Sequence, residues 1–169
     1  MKQTKNLVTS GMCVALAIVL PIAFHMIPDA GKVFLPMHIP VLLAGLLYGP
    51  VVGVAAGVLS PLLSAAVSDM PTAALLPFMV LELGVYGLTS GFLSRTGLHG
   101  FTKLLLAQLA GRAARALAVL TAIYLLRNTR LEPAAAWQFV TAGLFGILIQ
   151  WAVIPLLVKY IQDRRNQHA

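Results

Sequence analysis

Of the 169 residues, 59% are hydrophobic and only 10% charged, with a formal net charge of +7. A soluble domain carries roughly 25% charged residues, so this chain cannot cover a water-facing surface, and its length predicts a single membrane domain over 1–169 with no soluble catalytic domain beside it. The basic residues gather at the chain ends and in one loop beside apolar segments, a topology signal that excludes nucleic acid as the partner.

The first predicted segment covers 7–27, preceded by Lys2 and Lys5. It superficially resembles a signal peptide, but no small-residue cleavage site follows and His25-Met26-Ile27-Pro28 leads into more apolar sequence, so a retained helix is expected. Gly11 and Ala15, four residues apart, with Ala17 close by, form a small-residue face suited either to packing within the bundle or to docking another membrane protein. A loop follows over 28–38, carrying Asp29, Lys32 and two apolar residues of exposed type, Phe34 and Met37.

The stretch 34–64 has no charge, and its Gly45, Gly49, Gly53 and Gly57 recur every four residues. Pro50 lacks a backbone N–H and disfavours a helical residue before it. A tight turn at Gly49-Pro50 between a short helix over 39–48 and a longer one over 51–67 is therefore expected, with Gly53 and Gly57 admitting another helix closely. This hairpin is expected at the centre of the bundle. At about 1.5 Å per residue the 39–48 segment is too short to span, so it must begin within the preceding loop or sit partly embedded.

A second loop over 68–74 leads to a segment over 75–93 that contains Glu82. A polar turn over 94–102 precedes a segment over 103–126 with Gln108, Arg112 and Arg115. A third loop over 127–134 leads to the last segment, 135–160, and a polar tail. Six crossings bring both termini and the 94–103 turn to one face, which then holds Lys2, Lys5, Arg95, Lys103, Lys159, Arg164 and Arg165, against Lys32, Arg127 and Arg130 opposite. The positive-inside rule makes that face cytoplasmic. The expected fold is an all-α membrane bundle of six transmembrane helices with both ends in the cytoplasm.

Charges within a bilayer are costly and default to functional candidates. Gln108, Arg112 and Arg115 share one helical face, as do Glu82 and Tyr86. With Glu82 roughly 10 Å and Arg115 roughly 15 Å below the external surface, the two can pair, and Arg112 would lie deeper, near Gln150. One reading is an ion pair that only fixes helix packing. The other is a polar pocket for a small solute, favoured by two arginines facing one glutamate. His25 and His38 flank the first loop but lack nearby Cys, Asp or Glu in ligand spacing, so loop hydrogen bonding is expected over metal binding. Asp69 either contacts solute or caps a turn. Phe34, Met37, Trp137 and Trp151 are candidate pocket walls, with Trp137 equally suited to anchoring at the interface.

Catalysis finds little support. Cys13 is the only cysteine, so an internal disulfide or a CxxC site is impossible. HExxH and Walker A patterns are absent, so the chain has no means of its own to use ATP.

The basic N-terminus, GMCVALA, the PMHIPVLLAGLLYGPVVGVAAG hairpin, ELGVYGLTSG and the Gly111-Arg112 pair resemble, in that order, the substrate-binding S component of energy-coupling factor (ECF) transporters. The resemblance covers nearly the whole chain. It implies a multi-pass protein of a bacterial cell membrane that binds a water-soluble vitamin or related micronutrient from outside and is not an enzyme. The partners implied are membrane lipid, an ECF transmembrane scaffold subunit and two cytoplasmic ATPases. No cofactor belongs to this chain, since ATP is used by those subunits, and release involves toppling in the membrane. The implied pocket comprises Phe34, Met37, His38, Asp69, Glu82, Tyr86, Arg112, Arg115, Trp137 and Gln150, and the implied docking positions are Gly11, Ala15 and Ala17. The arginines would suit a carboxylate such as pantothenate, whereas Glu82 with aromatics would suit a base-like queuosine precursor, and folate also remains open. The competing readings are a self-sufficient permease that couples Glu82 to protons, and an intramembrane enzyme using Glu82 with a histidine.

Overall fold

A computed structural model describes residues 2–24, 35–68, 70–125 and 143–167. Among them are six helices: α1 (Lys2–Phe24), α2 (His38–Tyr48), α3 (Pro50–Ser68), α4 (Leu76–Leu93), α5 (Gly100–Tyr124) and α6 (Leu144–Gln167). The described residues contain no strand, so the all-α class holds. α3, α4, α5 and α6 are long and apolar enough to cross a membrane, while α1 and α2 contribute shorter apolar helical stretches, Gly11–Leu20 and His38–Tyr48.

Large apolar side chains are exposed on α1, α3, α4, α5 and α6, among them Leu7, Val51, Phe92, Leu117 and Leu156. In water such a surface would drive aggregation. In a bilayer it is what the hydrocarbon requires. α2 differs, because no large apolar side chain on it is exposed. It packs against α1, α3, α4 and α6, so the short arm of the predicted hairpin sits at the centre, while the long arm, α3, keeps one face exposed.

The turn within that hairpin follows from two residues. Gly49 takes a φ of +92°, a region that glycine enters without a Cβ penalty, and its N–H closes α2 on the Gly45 carbonyl. Pro50 then begins α3, where its missing N–H would have had no helical partner in any case. Gly53 and Gly57 perform the predicted close approach, and the helix they admit is α4. A Cβ on Gly53 would collide with the Gly87 backbone, and one on Gly57 with that of Leu83. Helices without a mutual hydrophobic drive in lipid associate through such van der Waals contact.

Several boundaries differ from expectation. α5 begins at Gly100 rather than 103, with His99 extended before it, which shortens the polar turn. α1 is helical from Lys2, and α6 continues to Gln167, so the polar tail expected after 160 extends the last helix. The part of the last segment before Gly143 lies outside the described residues. α2 runs parallel to α4, with His38 beside Glu82 and Gly45 against Gly87. The short helix thus begins at the depth of Glu82, and the chain reaches that depth before turning helical. Pro36 and Met37 are buried. Met37 therefore corrects the expectation of an exposed loop residue, and His38 belongs to the first turn of α2 rather than to the loop.

Candidate functional site

Glu82 lies six residues into α4, about 9 Å along its axis, and its side chain is 3% exposed. Glu82 and Tyr86 are one turn apart, so the Tyr86 hydroxyl donates to Glu82 Oε1 at 3.0 Å. From α5, Arg115 Nη1 donates to Oε2 at 2.5 Å. The carboxylate therefore has a partner on each oxygen, one neutral and one charged, which is the condition for keeping a charge in a low-dielectric interior.

α2 adds a third side to the cluster. His38 Nε2 stands 3.8 Å from Glu82 Oε1, and its ring lies 5.3 Å from that of Tyr86, tilted by 60°. Tyr86 is itself fixed from behind by Gly111 of α5, where any Cβ would strike the Tyr86 ring. That glycine, with Arg112 next to it and Arg115 one turn on, makes α5 the backing of the site. Arg112 lies near the Tyr86 hydroxyl. Its Nη2 also stands beside Gly143, where an added Cβ would meet both Arg112 and the Leu35 side chain. Leu35 has a φ of +49°, uncommon for a residue with a Cβ, and its carbonyl accepts the His38 N–H at 3.0 Å.

A second polar group lies one turn back along α5 from Arg112. Gln108 Nε2 donates to Gln150 Oε1 at 2.7 Å, and Trp151 Nε1 donates to Gln108 Oε1 at 2.6 Å. Phe101 packs edge-on against Trp151 with ring centroids 5.1 Å apart. Since α5 and α6 run antiparallel, Gln150 meets Gln108, and Arg112 meets the start of α6. The expectation that Arg112 and Gln150 share a level is thereby corrected by about one helical turn.

Of the predicted site residues, His38, Glu82, Tyr86, Arg112 and Arg115 come together at the end of the bundle where α4 begins and α5 ends, and Met37 is buried just before His38. Gln150 belongs to the separate amide group. Phe34, Asp69 and Trp137 lie outside the described residues, as does His25. Among the described residues there is no group of three or more His, Cys, Asp or Glu that could hold an ion. On α1, Gly11 and Ala15 are exposed, with nothing near Gly11, whereas Ala17 is fully buried. Two residues beyond Ala15 a helix has turned by about 200°, so Ala17 does not share a face with the other two.

Sequence reasoning placed Gln108 on the face of Arg112 and Arg115 and named Trp151 as a wall, but left both out of the site. Leu35, Gly111 and Gly143 were missed as parts of it. Only the glycine before Arg112 carried a signal, a small residue on the face that must admit a large ring.

A family model described as the ECF transporter, substrate-specific component, matches residues 5–158. No curated protein sequence matches the chain.

Proposed function

From the premise that this chain belongs to the substrate-specific components of ECF transporters, a family of multi-pass membrane proteins, we propose that it captures a water-soluble vitamin or related micronutrient at the Glu82 cluster. In this reading the termini are cytoplasmic, as the basic residues indicate, and the cluster lies toward the external side of the bundle. Binding sites for small molecules combine apolar walls with a few placed polar groups. Met37 and Tyr86 supply walls, and Glu82, His38, Arg112 and Arg115 supply polar groups. The observation that carries the reading is Glu82 itself, an acidic side chain buried among membrane helices where a charge defaults to function.

Association with ECF module components belongs to the family. We infer a scaffold subunit and two ATPases as the specific partners, met on the face of α1 that carries Gly11 and Ala15. ATP is consumed by those partners.

The test is coexpression with an ECF scaffold subunit and its ATPases, followed by reconstitution in liposomes. Copurification of the subunits and ATP-dependent uptake that disappears on Glu82→Gln are expected. Uptake by the isolated chain, driven by a proton gradient, would instead identify a self-sufficient permease.

A further inference from the structure

The His38 side chain is only 2% exposed, yet among the described residues neither ring nitrogen has a hydrogen-bond partner. The separation of 3.8 Å from Glu82 is too long for a hydrogen bond. Buried polar groups are nearly always satisfied, so an orphaned one marks a place where something else belongs. Here two such atoms sit on one ring, in the first turn of a helix that begins inside the bundle.

The groups around it define what would fit. A neutral imidazole donates from one nitrogen and accepts at the other, and an ionised carboxylate has about four lone-pair sites. Glu82 uses one on each oxygen, for Tyr86 and Arg115, and so retains capacity for a donor. A donor is what the remaining lone pairs of Glu82 can take, since a second carboxylate aimed at those oxygens would meet like charge and would have to turn toward Arg115 and Arg112 instead. Tyr86, tilted against His38, provides flat apolar surface beside the polar edge.

We propose, building on the solute-capture reading above, that His38 and Glu82 together read a donor–acceptor edge of the substrate. The edge would be a ring N–H next to a ring nitrogen or carbonyl, as in a nitrogen heterocycle or cyclic amide, with the N–H directed to Glu82 and the acceptor to His38. His38 is then a specificity residue.

The experiment uses the full chain in lipid nanodiscs and follows thermal unfolding and calorimetric binding with two sets of probes. Pterin, a 7-deazaguanine base and 4-amino-5-hydroxymethyl-2-methylpyrimidine present the edge, while pantothenate and pimelate present carboxylates. At least one heterocycle is expected to bind the wild type, to weaken by about tenfold or more with His38→Leu, and to recover within about threefold with His38→Gln, as expected for hydrogen bonds lost and restored. His38→Phe keeps a ring against Tyr86 while removing both nitrogens and serves in place of His38→Leu if that variant fails to fold. Binding of pantothenate or pimelate with no change on either apolar substitution overturns the inference while leaving solute capture intact. Absence of binding by every probe also overturns it, and solute capture is then judged separately by uptake through the complete transporter.

Discussion

Arg115 and Glu82, 33 residues apart in the chain, meet at 2.5 Å between α5 and α4, with the carboxylate almost completely enclosed. Neither side chain would be tolerated alone at this depth. Removing one partner of a buried pair leaves an uncompensated charge at a cost of about 3–5 kcal/mol, whereas replacing both with apolar groups is often neutral. Arg115→Met alone should therefore destabilise the protein in detergent more than Glu82→Gln with Arg115→Met together. Thermal unfolding of the four forms decides this, and simple additivity would show that the two residues do not act as a pair.

The Gln108 group makes a smaller prediction. Gln108 bonds both Gln150 and Trp151, while each of those has one bond to it, so Gln108→Leu should cost more than Trp151→Phe. Hydrogen bonds between membrane helices average about 0.6 kcal/mol, which places both effects near 1 kcal/mol. In Gln108→Leu, Trp151 loses its acceptor, and its fluorescence should shift to the blue. An unchanged emission maximum would argue against the Trp151–Gln108 bond.

Packing of α3 on α4 depends on backbones in contact. Gly87→Leu should prevent accumulation of folded protein, since Gly53 leaves no room for the new side chain. Gly11→Leu, at an exposed position with nothing near it, should leave the unfolding midpoint unchanged. Expression and gel filtration compare the two, and equal yields would show that α3 and α4 do not pack backbone against backbone.

Gly11→Leu has a second expected outcome. If the exposed face of α1 meets the scaffold subunit, the substitution should abolish copurification with that subunit while solute binding by the isolated chain persists. A complex that forms normally would assign docking elsewhere.

Much of the fold was legible because membrane helices are written in long apolar runs, and Gly49-Pro50 can hardly be anything but a turn. The close approach at Gly53 and Gly57 was also readable, since glycines one turn apart create a groove whatever fills it. Glu82 and Tyr86 could be paired from spacing alone. The partner of Glu82 was left open, because a choice between an ion pair and a pocket depends on how α4 and α5 are set against each other, and no local pattern encodes that. The same limit applies to Gln108 and Gln150, whose bond depends on the antiparallel register of α5 and α6. His38 was read as the last residue of the 28–38 loop, yet it opens α2, and Pro40 sits in the first turn of that helix, where a missing N–H costs little. Ala17 was grouped with Gly11 and Ala15 by composition, although helical geometry separates it from them.

The central claim is that Glu82 and its neighbours are kept in the membrane to hold a solute. Native mass spectrometry of the purified protein beside its Glu82→Gln and Tyr86→Phe variants tests it most directly. The account predicts one small molecule retained per wild-type chain and lost or strongly depleted in folded Glu82→Gln, with partial loss in Tyr86→Phe. A molecule retained equally by all three forms, or none retained by the wild type even after incubation with the extract of the cells that produced it, would contradict it.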